Sequence, residues 1–377
     1  MCYAIMLLRI ICRNKSAMTR TLHPRHSLFA RIVLALVPFV LAAACSGGTD
    51  EANGPASRSF NGEVNVYSAR HYDSDLAIYD AFTAETGVKV NLIEAGGDAL
   101  IERLAREAEA SPADVFITAD AGRLWRAEQR GVLRKISNEM LEMRVPEQFR
   151  HPEGYWFGLS KRARVIIYNK DLGLPDGVED YEDLADPAYK GMICIRSSSN
   201  VYNQSLLASI IAHDGGEAAE DGARGVAANF ARKPQGSDTS QIEAVAAGLC
   251  RLGVVNSYYV ARFIGSENAE AAAIGEKVGV LFPNQSGRGT HVNISGAGVT
   301  AHAPNPENAE QLIEFLIRDD TQEAFAKGNN EYPVVEGVAP SGPVAGLGTF
   351  KADELPAATL GINQPEAIRI FDRVGWP

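Results

Sequence analysis
The chain has 377 residues, a formal net charge of −11, 46 % hydrophobic and 22 % charged residues, 35 Gly and 18 Pro. This is a globular balance that excludes collagen-like, low-complexity and disordered chains, and its acidity argues against a nucleic-acid-binding surface. The length suggests two domains.

Residues 1–44 carry Arg9, Arg13, Lys15, Arg20, Arg25 and Arg31 and no acidic residue, and Ile32–Ala44 reads IVLALVPFVLAAA before Cys45. A basic lead, a short apolar run and small residues before a cut make a secretory signal, with Met1 and Met18 as alternative starts. The run is short for a membrane span. Ala-Ala-Ala-Cys resembles a lipoprotein processing site, with Ala42 where leucine is usual; a plain cut after Ala44 is the alternative. A lipidated Cys45 followed by the small, polar linker 45–61 would tether the protein to a membrane face. Removing the signal takes away six positive charges, so the exported chain is more acidic than the whole. Cys194 and Cys250 then remain. Export makes them a candidate disulfide, and two separate buried thiols are the alternative, because spacing does not place them within bonding distance.

Glu63–Ser68 alternates like a strand. Asp73–Thr86 follows as a helix, with Leu76, Tyr79 and Phe82 at helical spacing and Gly87 as its C-cap. Val88–Glu94 predicts a second strand, 98–110 a helix, 114–118 a third strand, and 121–129 a helix ending near Gly131. Short alternation of strand and helix argues an α/β fold with a largely parallel sheet. The chain then changes character. Tyr155–Asn169 is a long extended segment holding the basic string Lys161-Arg162-Ala163-Arg164. Met192–Ile195 is a short strand before a polar turn and the helix 203–213. Residues 238–250 place Ile242, Val245, Ala246 and Leu249 on one helical face, with Thr239 or Ser240 as N-cap. Gly253–Asn256 is a strand, 289–301 reads as strands, and Pro306–Arg318 is a helix capped by Asn305. This order fits two lobes: 62–158 plus about 286–345, and 159–285 plus about 346–377. Ligands favour the cleft between lobes.

Three clusters lie at strand ends, the ligand-binding edge of open α/β sheets: Arg70-His71-Tyr72, Tyr202 after the polar turn, and Tyr258-Tyr259. A single tyrosine at such an edge is usually half-buried packing. Three polar-flanked clusters suit a hard cation, because phenolate is a hard oxygen donor and ferric iron a hard acid. Enzyme and cofactor signatures do not accompany them. There is no CxxC pair, no GxGxxG at the first strand-to-helix turn, and no P-loop, GxSxG or HExxH.

Four strings carry a resemblance: VNVYSARHYDSDLAIYDAFTAETGVKVNLIEAGGDALIERL, SPADVFITADAGRLWRAEQRGVL, CIRSSSNVYNQSLLAS and VVNSYYVAR. Through them the chain, from about Asn65 to its end, resembles the periplasmic ferric-iron-binding proteins of bacterial ABC importers. The resemblance implies an α/β fold of two transferrin-like lobes, the type II arrangement of periplasmic binding proteins, with a hinge and an inter-lobe cleft. It implies a monomeric, periplasmic carrier rather than an enzyme, delivering Fe³⁺ to a membrane permease driven by a separate ATPase. Tyr72 becomes the first-lobe ligand, and Tyr202, Tyr258 and Tyr259 the second-lobe ligands. His71 sits where a histidine ligates iron in some members and stays back in others; either role is open. Four phenolates and Fe³⁺ leave net negative charge, so Arg262, then Arg162 and Arg164, are candidates to offset it. A synergistic anion is a further expected component. The competing expectation is a solute-binding protein for a small organic anion, a phosphonate or a polyamine, with the tyrosines stacking on the ligand and Arg162 or Arg262 contacting it. A secreted enzyme with a Tyr or His base is disfavoured, since no nucleophile or carboxylate set accompanies His71.

Overall fold
A computed structural model describes residues 62–377. The secretory signal, the candidate lipidation site Cys45 and the linker lie outside the described residues. Nine strands form the sheet: β1 Glu63–Ser68, β2 Lys89–Glu94, β3 Val115–Ala119, β4 Phe157–Asn169, β5 Ile193–Cys194, β6 Leu252–Asn256, β7 Val278–Leu281, β8 Val292–Val299 and β9 Tyr332–Pro333. Their order is β2-β1-β3-β8-β4-β6-β5, with β7 and β9 also paired to β4.

The first half follows the expected pattern. β1 pairs in parallel with β2 and β3, and β3 is buried along nearly its whole length, as a central strand covered on both faces must be. The sheet as a whole is mixed rather than largely parallel. β3 with β8, and β4 with β6, β7, β8 and β9, are antiparallel, while β5 pairs in parallel with β6. The reason is β4. Its first part, Phe157–Ala163, pairs with β8, and its last part, Arg164–Asn169, pairs with β6 and β7. One long strand therefore belongs to two sheet regions, and its register with β8 shifts between Gly158 and Ser160, near the strand's start.

Helix 73–86 ends at Gly87, whose φ of 77° is the left-handed C-cap conformation. Leu76 is exposed there, and the buried face is Asp75, Ile78, Tyr79 and Phe82. Asp75 turns inward because it pairs with buried Arg70, and Leu76 is rotated out. The helix 238–246 is capped by Ser237, not Thr239 or Ser240: Ser237 Oγ accepts from Ser240 N in a capping box. It stops early, because Gly248 turns the chain at φ 73°; Leu249 is left 66 % exposed rather than on the helix's apolar face. Asn305 precedes the helix 306–316 but makes no side-chain cap, since its amide donates to Asp114 instead.

Two apolar clusters form the core. The larger holds Val66, Phe116, Trp156, Ile294 and Leu312 and continues across β4 to Ile242 and Val245. The smaller holds Ile166, Tyr181, Leu207, Val254 and Phe371. Cys194 and Cys250 form a disulfide, Cα–Cα 5.7 Å, tying β5 to the turn before β6. The C-terminal helix 357–373 packs on both the helix 201–214 and the helix 121–129, so the described residues close into one compact unit. No described helix is long and apolar enough to cross a membrane.

Candidate metal-binding cleft
The tyrosines reach one place from three separate segments. Tyr72 is the last extended residue before the helix 73–86 (φ −117°, ψ 121°), with no side-chain capping bond of its own. Tyr202 lies in the first turn of the helix 201–214. Tyr258 and Tyr259 open the helix 257–264, which follows β6 without a break; they sit on a helix rather than at a bare strand end. The Tyr202 and Tyr258 hydroxyls are 3.4 Å apart, and the Tyr258 and Tyr259 rings stack at 4.3 Å. Arg262, one turn further along, joins the set. Its guanidinium carbon lies 5.1 Å from the Tyr72 ring, 5.0 Å from Tyr258 and 5.5 Å from Tyr259.

β4 supplies the charge beneath the phenols. A strand sends alternate side chains to opposite faces, so the basic string divides. Ser160, Arg162 and Arg164 turn inward and are fully buried, while Lys161 stands over the Phe149 ring at 5.3 Å. Arg162 and Arg164 approach the Tyr202 ring at 5.5 and 5.8 Å, and Arg196 does so at 5.5 Å. Arg70 lies 4.9 Å from the Tyr72 ring.

Buried charge has to be paired, and three carboxylates do this. Arg70 donates to Asp75 and Glu331 at 2.8 Å each. Glu331 also accepts from Ser160 Oγ at 2.7 Å and stands 3.8 Å from Arg162. Asp238 accepts from Arg164 at 2.7 Å and faces Arg196 at 3.6 Å. Five guanidinium groups thus touch the phenol rings, against Asp75, Glu331 and Asp238. Positive charge is in excess before any phenol ionises. Some of it is unspent: Arg162 Nε and Nη2 and Arg164 Nε are buried without a hydrogen-bond partner.

Burial sets the proton affinity of the phenols. It pushes Tyr258 well above the ordinary tyrosine value, reinforced by Tyr202, Tyr72 and Tyr259 and opposed by Arg162. Tyr72 is raised by burial and by Glu331, against Arg70 and Arg262, and Tyr259 by burial, Tyr202 and Asp238. These three phenols are neutral in the metal-free protein at neutral pH. Among the described residues no group of three His, Cys, Asp or Glu side chains is placed to hold a metal; phenol oxygens are hard donors, and four tyrosines gather here.

Of the residues singled out in the sequence, Tyr72, Tyr202, Tyr258, Tyr259, Arg162, Arg164 and Arg262 come together. His71 does not make these contacts: its side chain is 56 % exposed and faces Glu94 at 3.6 Å. Sequence reading missed the parts played by Arg70, Arg196, Asp238 and Glu331. Arg70 belonged to a noted string, and strand alternation flags Arg162 and Arg164. Glu331 and Asp238 carry no local signal, since their partners lie 261 and 74 residues away.

Comparison with known proteins places the chain among related molecules. A family profile described as "Bacterial extracellular solute-binding protein" matches residues 77–355. The chain is 51 % identical over 314 residues to Iron uptake protein A1 of Synechocystis, covering 83 % of this chain and 87 % of that one. The solved structure of the Trichodesmium protein (IdiA, FutA) in complex with iron and citrate superposes with TM-score 0.81 at 53 % identity, covering 84 % of this chain and all of that one. The ferric binding protein from Campylobacter jejuni gives TM-score 0.80 at 40 % identity, covering 83 % of this chain and all of that one.

Proposed function
The chain belongs to the bacterial extracellular solute-binding proteins, and from that premise we propose that it captures ferric iron with Tyr72, Tyr202, Tyr258 and Tyr259 and delivers it to an ABC importer. Its fold is the two-lobed α/β architecture of that class, with the ligand cleft between the lobes. The lobes in this reading are 62–158 with about 286–345, and 159–285 with about 346–377. It works as a periplasmic carrier rather than a catalyst. A membrane permease and its ATPase are the partners, and a lipid on Cys45 is the candidate anchor.

The observation that carries the proposal is Arg262 in contact with Tyr72, Tyr258 and Tyr259 at once, beside the 3.4 Å approach of the Tyr202 and Tyr258 hydroxyls. Phenol oxygens from separate segments can meet one hard cation there, and ligands drawn from both lobes favour the closed form. Four phenolates around Fe³⁺ carry net negative charge, and the excess of guanidinium groups offsets it. The unpartnered Arg162 and Arg164 donors suit an anion bound with the iron. His71, turned toward Glu94, belongs in this reading to the set that stays back.

Binding must expel phenol protons, so iron affinity falls as pH falls. The test is direct. Ferric loading of the purified protein should give a visible phenolate-to-iron charge-transfer band and raise the melting temperature. Tyr258→Phe combined with Tyr259→Phe should abolish the band while circular dichroism stays unchanged. An uncoloured, unstabilised protein after ferric addition, or full iron affinity in the double variant, would overturn the assignment.

A further inference from the structure
A cavity of about 560 Å³ opens in the part of the molecule that holds Tyr202, but it is separate from the tyrosine cleft. Its walls are Leu206, Leu207 and Ile210 on the helix 201–214, Ala223 and Val226 on the helix 216–228, and Trp376. That is the size and apolar lining of a small-molecule site. Its rim is charged and uneven. Asp180, Glu182 and Asp214 stand there with one guanidinium, Arg288, which bridges Glu182 and, at 3.5 Å, Asp214. Asp180 makes no ion pair among the described residues. The residue is half-buried, its Oδ1 is buried without a hydrogen-bond partner, and burial beside Asp183 and Glu182 raises its carboxyl pKa against the opposing pull of Asn284 and Arg288. A buried acceptor left without a donor is costly, and native structures rarely leave one so. His213, the other titratable group on the rim, faces Asp353 at 2.8 Å.

We propose that this cavity is a second ligand site, for a small amphipathic monoamine whose apolar body lies between the helices and whose ammonium group donates to Asp180. An excess of carboxylate at the mouth selects a cation, and the apolar walls select a hydrocarbon body over a bare metal ion. A monoamine is the simplest chemistry that satisfies both. The site does not depend on the ferric assignment, since it shares none of the four tyrosines.

Octylamine is the probe, titrated calorimetrically into the intact exported protein, with octanol and octanoate as comparisons. Two variants report on body and head separately. Gly222 lines the cavity, and a Cβ there meets nothing within 4 Å, so Gly222→Leu fills the space and raises helix propensity. Asp180→Asn keeps the shape and removes the charge. Saturable octylamine binding, weakened at least tenfold in each variant and stronger than that of octanol or octanoate, is the expected result. A far-UV circular dichroism spectrum like the parent's and a cooperative melting transition no lower than the parent's would show that the fold is intact. No saturable octylamine heat, unchanged affinity in either variant, or octanoate binding as tightly as octylamine would overturn the proposal.

Discussion

Arg262 illustrates how far one side chain can matter in this cleft. It approaches three phenol rings, and a cation–π contact contributes about 0.5–1 kcal/mol at an exposed site and about 2 kcal/mol when desolvated. Arg262→Gln should therefore weaken ferric affinity about tenfold or more, measured by competition with a chelator, while the coloured complex still forms. His291 couples stability to pH. It is buried at 3 % exposure, and burial together with Arg164 and Arg162 lowers its pKa to about 3. The unfolded chain takes up this proton near the ordinary histidine value, and the folded chain does not. Stability is therefore lost as pH falls from about 6.5 toward 3, at roughly 1.4 kcal/mol per pH unit for this one group. His291→Leu should flatten the acid limb of urea-denaturation midpoints between pH 6.5 and 4; an unchanged slope would show that other groups set it.

At the scale of elements, β4 organises the site. Its alternation was legible in the sequence as a long extended segment with a basic string. What the string did not reveal was that the strand leaves one sheet region for another while Ser160, Arg162 and Arg164 point inward. The helix 238–246 makes a related point. Ile242 and Val245 were legible as its buried face, but Leu249 was not legible as exposed, because the helix ends at Ala246 and the chain turns at Gly248, φ 73°, before Leu249 is reached. The Cys194–Cys250 bond closes a loop across 56 residues, for which the chain-entropy model gives roughly 4 kcal/mol. Cys250→Ala should lower unfolding stability by an amount of that order, read from urea curves with and without reductant; the reductant should have no effect on the variant.

Across the whole molecule, the end of β3 is bonded directly to the helix that carries Tyr202. Asp120, at the end of β3, adopts φ 89°, a conformation that costs a non-glycine residue about 1–3 kcal/mol. It is over-determined there. Asp120 accepts from Gly122 N at 2.9 Å and from Asn293 at 3.0 Å, and also from Ser205 Oγ at 2.7 Å on the helix that carries Tyr202. In the proposed lobe division this last bond crosses the cleft. Ser205→Ala should release ferric iron several-fold faster, in line with about 1 kcal/mol for one hydrogen bond, without shifting the charge-transfer band. Small-angle scattering of the iron-free variant should show a larger radius of gyration than the parent. An equal release rate would place the closure energy elsewhere.

Local chemistry was enough to determine the strand and helix alternation from Glu63 to Gln129, the Gly87 cap, and the tyrosines placed where one element gives way to the next. These depend on side-chain period and on backbone preferences that act within a few residues. Tertiary structure alone decided that the sheet is mixed, that Arg70, Arg196, Asp238 and Glu331 underpin the phenols, and that His71 faces outward. Those outcomes rest on pairing charges in a buried place, where partners come from whichever segments the fold brings together. Sequence distance carries no trace of that requirement until the chain has closed around it.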